Sequence, residues 1–546
     1  MGKVRLPIMV EYPQGIANSL LEKHIWDPTD IPLGATIVVA AANSLNKQGA
    51  HYVCDGTNDE EEIQAAIDEV AAAGGGKVLL LEGTFNISST IQLKTGVSLV
   101  GMGWATKIIS DGFSGNNINI EQVSDVLIRD IYMDGGQPTT TGGYQQIRIS
   151  NSSRVKLENL YLKDPPGWHI TIGNNSSLVK VDGITFSSSD SLQDGVHIRA
   201  SHDITVSNLQ GQTGDDFIGI TVTSAQPYDT YNINISDIQG TTINGSLLTI
   251  ACDTADATND IYSINCVNLV GMNNAVAGVK IDMDNNRTAR DIKIKNLQVI
   301  NPGQYGIRIL GAGNVERLSI SGLTIKNPGY QGIFVEASNS ISDLQISDFT
   351  IEDTGTYASI VVIPPTNNIT ISNGIIRNSG TIEVRNASNL TLSKVTSINP
   401  QGVNTVFLGA SGTQVTDSRI EECYLEASST RTIQVYNADT VTIRDNILGT
   451  PAVNIVTGTN IVFENNKNYA TKNSGQATFS GDGATTSFNI AHGLASTPSV
   501  VIVTPASEHA RGDFHVEADA TNITVTYASA PPAGTNNVVL YWYAEV

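Results

Sequence analysis

The chain has 546 residues, 50 of them glycine, with 6% aromatic residues and a formal net charge of −22 at pH 7. Such a length exceeds one small core and points to two or three domains. A surface this acidic excludes a phosphate backbone as partner, so no nucleic acid is expected, while local basic residues leave an anionic glycan open.

Residues 1–34 show no repeating pattern and read as an attachment segment. Their start, MGKVRLPIMVEYP, lacks the apolar core of a signal peptide. The longest early apolar run, Ala35 to Ala42, is too short to span a bilayer, so no membrane insertion is expected. Next comes DGTNDEEEIQAAIDEVAAAGGGKVLLL, residues 55–81, which reads as loop, helix and strand. Asn58 or Asp59 is placed to cap that helix, and Glu60, Glu61 and Glu62 suit its positive end. Ile63, Ala66, Ile67 and Val70 share one face, suited to covering the N-terminal end of a stack of strands.

From there the chain repeats one form, apolar-x-x-apolar and then a turn. Its anchors are Ile128, Leu157, Val181, Val206, Ile235, Ile264, Ile294, Ile320, Ile346, Ile371 and Leu392, spaced 21 to 30 residues apart. Each interval also holds a second strand with apolar residues two apart: QQIRI, WHITI, DGVHI, DFIGI, AGVKI, YGIRI, QGIFV. One interval is one coil of a solenoid. The fold class is therefore all-β: a right-handed parallel β-helix over 35–474, with an N-terminal capping helix. Val196, Ile218, Val279, Ile307 and Ile333 are predicted to form one buried ladder. After Tyr469 the pattern becomes alternating strands with turn signals, read as a small antiparallel β-sandwich over 475–546 that serves as a trimerisation or glycan-binding module. The apolar run Val538 to Tyr543 is the part expected at a three-fold contact. Cys54, Cys252, Cys266 and Cys423 lack C-x-x-C spacing and read as buried thiols; no metal or other cofactor is expected.

Asp55-Gly56-Thr57, Asp59, Ala65-Ala66-Ile67, Gly75-Gly76 and Leu81-Glu82-Gly83-Thr84-Phe85 resemble the entry module of the pectate-lyase-like superfamily, which includes many viral tailspikes. The tail looks like the C-terminal modules of phage-type tail proteins.

One stretch, Leu192 to Ile220, departs from the ladder. Aligning Val196 with Ile218 places Asp194 and Asp216 at equivalent positions on adjacent coils, roughly 5 Å apart, with Asp215 beside them. Three carboxylates so close cannot all ionise freely, so at least one pKa should rise, which supplies an acid and a base for glycoside hydrolysis. The competing reading is that Asp-Gly and Gly-Asp serve turns for backbone reasons alone. Gln193-Asp194-Gly195 and Gly214-Asp215-Asp216, one coil apart, resemble the first two motifs of glycoside hydrolase family 28, the polygalacturonase-like enzymes. The resemblance implies Asp215 as general acid, Asp194 and Asp216 activating a water, inversion of configuration and no metal. The family's G-H-G is replaced by Asn244-Gly245-Ser246, and its R-I-K is echoed only by Lys280-Ile281-Asp282. These departures point away from polygalacturonate, towards another polysaccharide or a site that binds without cutting.

Arg148, Thr171, His197, Gly219, Lys280 and Arg308 form the predicted outward row, with Leu248 from the intervening coil. Of these, Arg148, His197, Lys280 and Arg308 are candidate substrate contacts, joined by Trp168 and His169 one coil before the acids. A virion tailspike or surface depolymerase is the leading expectation: a homotrimer acting on a cell-surface polysaccharide and joined to other tail proteins through its N-terminus. A non-catalytic receptor-binding β-helix and a lyase or epimerase are the alternatives.

Overall fold

Side chains alternate along a strand, so two residues three apart cannot both face the core unless something resets the alternation. The computed structural model identifies the reset. In successive coils the second residue after the anchor adopts a left-handed backbone: Asn208 (φ 55°), Asp237 (59°), Asn268 (59°), Asn296 (56°), Gly322 (66°), Asp348 (54°) and Asn373 (53°). Asn, Asp and Gly enter that region at least cost. The reset turns Val206 with Leu209, Ile235 with Ile238, and Ile294 with Leu297 inward together, each at most 1% exposed.

The structure describes residues 36–136, 143–252, 254, 257–284, 287–336, 339–450 and 452–546; the expected attachment segment, 1–34, lies outside them. The chain divides into two compact units, one ending at Gln193 and the other beginning at Asp194.

In the first unit, Thr36–Ala40 pairs in parallel with Gly76–Leu80, which pairs with Val97–Val100. Ser124–Asp134, Ser153–Lys163 and Ser177–Ser187 then stack in parallel, with Ile128, Leu157 and Val181 in register. The helix Glu60–Ala72 buries Ile63, Ala66, Ile67 and Val70 to 1% exposure or less and packs on the first strands. Its expected side-chain cap is not made. Asp59 instead accepts the backbone N–H groups of Gly56 (2.8 Å) and Asn86 (2.7 Å), which ties the turn before the helix to a strand.

The second unit contains parallel coils and then a sandwich. Short strands stack with Val196, Ile218, Leu248, Val279, Ile307 and Ile333 in one register. All six are at most 1% exposed, so the predicted ladder is present and Leu248 belongs to it. The outward residue of that coil is Thr249, paired with Gly219 and Lys280. Assigning Leu248 to the outward row is a one-residue slip, and in a strand a one-residue slip reverses the face. The long strands hold one further correction: Cys266, not Ile264, pairs with Ile235 and Ile294. A buried thiol behaves as a small apolar side chain, and Cys266 is fully buried. Polar side chains at the left-handed positions link the coils on the outside: Asn268 Nδ2 donates to Asp237 Oδ1 (2.8 Å) and Asn296 Nδ2 to Asn268 Oδ1 (3.0 Å).

At the C-terminus, Lys472–Gly481, Gly534–Glu545 and Val500–Pro505 form one antiparallel sheet, and Ser487–Ala491, Asn522–Tyr527 and Phe514–Ala518 form another. Val538, Leu540 and Trp542 enter their shared core. The apolar run expected at a three-fold contact is therefore half consumed inside the sandwich, because its residues alternate between faces. Its outer face presents Tyr541 and Ile502, each 56% exposed, with Tyr543 paired to Ile502.

Two substitutions separate core packing from the polar ladder. Ile307→Ala should lower unfolding free energy by about 2–5 kcal/mol in urea melts. Asn296→Ala should cost more than Asn296→Gly, because glycine keeps the left-handed backbone and loses only the side-chain bond. Equal losses in the two Asn296 variants would show that the backbone conformation contributes nothing.

Candidate active site

Three carboxylates stand at the entrances of two adjacent short strands. Asp194 precedes Val196–Arg199, and Asp215 and Asp216 precede Ile218–Val222. The register of Val196 with Ile218 brings them together: one oxygen from each of the three lies within 4.8 Å of the others. These oxygens could hold a cation, as could those of Asp59 and Glu62 with the Cys54 sulfur.

The three acids are not equivalent. Asp194 Oδ1 accepts the Asp216 backbone N–H (3.1 Å), and Asp216 Oδ1 in turn accepts the Ser246 N–H of the following coil (2.8 Å). Both therefore hold turns as well as charge. Asp215 is different: its carboxylate takes no hydrogen bond among the described residues, and only its backbone carbonyl is engaged, by the Thr213 hydroxyl (3.0 Å). Gly245 leaves the space above it, since a Cβ there would fall 2.6 Å from Asp215 Oδ1 and 2.4 Å from its carbonyl carbon. Burial, then the negative charge of Asp194, pushes the Asp215 carboxyl up to about 6, with the charge of Lys280 pulling the other way. Burial and then the charges of Asp194 and Asp215 also raise Asp216, opposed by the Ser246 N–H and the Thr249 hydroxyl.

Asp194 is held from behind by His197. Its Oδ2 accepts from His197 Nδ1 at 2.6 Å, and both side chains are buried. Nε2 of the same ring lies 2.9 Å from the Thr221 hydroxyl and 3.3 Å from Arg199 Nη2. A guanidinium can only donate, so Nε2 accepts and Nδ1 carries the proton. His197 was expected to line the groove as a substrate contact; with both nitrogens engaged and 6% exposure, it orients Asp194 instead. Arg199 and Thr221, which no sequence motif singles out, complete this arrangement. Arg199 stands two places beyond His197 on the same strand and pairs with Thr221, so period-2 alternation carried a signal for it.

Lys280 and Arg308 occupy the outward row as predicted, paired in register. Lys280 Nζ lies 3.0 Å from Asp282 Oδ2, and Arg308 Nη2 lies 2.7 Å from Glu336 Oε2. The remaining candidates belong to the first unit. Arg148 is partly exposed and paired with Glu121 at 3.1 Å. Trp168 begins the strand Trp168–Gly173, is partly buried, and pairs in register with Gln145. His169 does not reach solvent: fully buried, it lies between Gln146 Oε1 and Ser188 Oγ, both at 2.9 Å. Burial drives its pKa down to about 3, so it is a neutral core histidine and not a substrate contact.

Fold and site define a class before any relative is considered: a right-handed parallel β-helix with an acid cluster on its short-strand sheet. Comparison with known proteins gives the particulars. Residues 81–312 match the family model described as glycosyl hydrolases family 28, and residues 277–468 match the right handed beta helix region. Mannuronan C5-epimerase AlgE3 of Azotobacter vinelandii is 30% identical over 154 residues, 24% of this chain and 8% of its own length. Alginate lyase 7 of the same organism is 34% identical over 101 residues, 16% of this chain and 12% of its own length. The chain thus spans only a small part of the curated relatives it matches. The tailspike protein of E. coli bacteriophage HK620, solved with a pentasaccharide, is 14% identical over 89% of each chain, with a TM-score of 0.52; at that identity the likeness is one of fold.

The raised Asp215 pKa has a measurable consequence. Its folded value of about 6 exceeds the ordinary carboxylate value near 4. Between the two the folded state holds more protons than the unfolded, so this group costs stability as pH rises through that window. Asp215→Asn should therefore gain on wild type in melting temperature as pH rises from about 4 to about 6, with the difference level above that. A stability difference independent of pH would show that Asp215 titrates normally.

Proposed function

We propose that this β-helix degrades a polysaccharide by hydrolysis. Asp215 protonates the leaving oxygen, and Asp194 and Asp216 activate the attacking water. The observation that carries this reading is the meeting of three carboxylates from adjacent coils within 4.8 Å. Within that cluster burial and the charge of Asp194 raise the Asp215 carboxyl to about 6, so part of it is still protonated as neutrality is approached, and its carboxylate remains free for a ligand. The match of residues 81–312 to the glycosyl hydrolases family 28 model supports the same chemistry. His197 orients Asp194, while Lys280 and Arg308 lie along the path of the glycan.

The finer proposals are inversion of configuration and independence of metal. The carboxylate oxygens, within 4.8 Å of one another, lie closer than the roughly 6.5–9.5 Å usual in inverting enzymes and nearer the roughly 5–5.5 Å of retaining ones, so inversion is inferred from the match to the glycosyl hydrolases family 28 model and not from this separation. Proton NMR of the first-formed product should show the inverted anomer, and the retained anomer would overturn this part.

We further propose a tailspike-like role on a virion or outside a cell, in a homotrimer, with residues 1–34 attaching to other tail proteins. Support comes from the long β-helix shared with the HK620 tailspike and from the exposed Ile502 and Tyr541 face on the sandwich. No helix among the described residues is long and apolar enough to cross a membrane. Light scattering of the intact protein should report three chains; a monomer at micromolar concentration would count against it.

A lyase or epimerase is the second reading, favoured by the local identity with the mannuronan C5-epimerases and alginate lyase. One assay separates them. Reducing ends should appear from a bacterial capsule or O-antigen with or without EDTA, and without unsaturated uronate. Asp215→Asn should lower that release by about 10²–10⁴. Asp237→Asn should leave it unchanged, because an amide can still accept from Asn268. Near-normal turnover by Asp215→Asn, or release abolished by EDTA, would reject the proposed mechanism.

A further inference from the structure

Beyond Lys280 and Arg308 the outward row continues as Phe334 and then Val361. Here its character changes. Tyr305, at the entrance of the strand that carries Arg308, stacks on Phe334 with ring centroids 5.5 Å apart and planes 15° apart. Tyr330 lies 5.6 Å from Tyr305 and meets Tyr357 edge to face at 5.3 Å. Buried rings would explain themselves as core, but Tyr330 is 41% exposed and Tyr357 45%. Beside them opens a cleft of ≈ 390 Å³ lined by Phe334, Tyr357, Val361 and Glu383 among others. Tyr305 sits three coils beyond Asp216 along the stacked strands Ile218–Val222, Leu248–Cys252, Ala277–Asp282 and Tyr305–Leu310. That is roughly 14 Å at one strand spacing per coil.

Charge along this path is cancelled locally. Lys280 is paired with Asp282 at 3.0 Å, Arg308 with Glu336 at 2.7 Å, and Arg385 with Glu383 at 2.6 Å. Arg308 also lies over the Tyr305 ring, 4.9 Å from its centroid. A polyuronate would need cations free to meet one carboxylate per sugar. These cations are each committed to a carboxylate of the protein, on a chain whose formal charge is −22. Exposed aromatic faces, by contrast, suit the C–H faces of an uncharged pyranose.

We infer that Tyr305, Tyr330, Phe334 and Tyr357 form a distal sugar-binding platform on the groove that leads from the acids, and that the glycan it holds is neutral. The inference rests on the hydrolase reading only for the direction in which the glycan runs. Its test is therefore a binding test on full-length Asp215→Asn protein, which cannot consume the ligand. Affinity electrophoresis would use neutral bacterial O-antigen and exopolysaccharides, with polygalacturonate and alginate as acidic comparisons. Retention by at least one neutral polymer is expected. Tyr330→Ala and Tyr357→Ala should each weaken it roughly tenfold with unchanged melting temperature, and Tyr357→Trp should retain it. Four results would overturn the inference: no retention by any neutral polymer; tighter retention on polygalacturonate or alginate; indifference to the tyrosine changes; or a loss that tracks melting temperature and is not rescued by Trp. Platform-dependent binding alongside a wild-type protein that cuts nothing would instead reject the hydrolase and leave the platform standing.

Discussion

Register between stacked coils is the constraint on which the rest of this structure depends. Each coil contributes a few backbone hydrogen bonds to its neighbour, and no coil could bury its apolar face alone. The register is fixed because the short strands from Val196–Arg199 to Arg431–Val435 place two apolar residues inward with one residue outward between them, and a slip of one position would turn each ladder into solvent. The left-handed residue in the long strands serves the same end. It lets two strand segments share one core without a loop, and its Asn or Asp side chain reaches the equivalent residue one coil away.

The acid cluster is a product of that register. Asp194 and Asp216 are each bonded to the backbone of the next coil, so their separation is set by the rise of the solenoid and not by flexible side chains. Turn-forming and chemical roles are compatible in these two residues. Asp215 carries no such duty; burial and the charge of Asp194 raise its proton affinity, as burial and both neighbouring charges raise that of Asp216. The Asp194–His197 contact adds a dipolar support behind the cluster, with Arg199 and Thr221 fixing the tautomer.

Much of this is legible in the sequence because the signal is repetition. Val196, Ile218, Val279, Ile307 and Ile333 align on their shared strand pattern, and the same alignment puts Asp194 beside Asp216. The failures have local causes. Ile264 looks like an anchor because Cys266 does not look apolar among aliphatic residues, although burial makes it so. Leu248 falls on the wrong face because Ser246-Leu247-Leu248 offers two apolar neighbours and no sequence cue to choose between them. His169 and His197 read as surface groups because a polar residue between apolar ones suggests solvent. Their partners, Gln146 and Ser188 for one, Asp194 and Thr221 for the other, lie 19 to 24 residues away or three residues back, and only the coil geometry pairs them.

Cys266 draws these points together. It stands in an aliphatic ladder between Ile235 and Ile294, and burial holds its thiol at a pKa of about 12. A thiol protonated and enclosed in this way is inert to alkylating reagents while its coils stay closed, since the thiolate is the reactive form. Its labelling rate then becomes a clock for the parting of neighbouring coils, and an unmodified natural residue reports how long the middle of the solenoid stays shut.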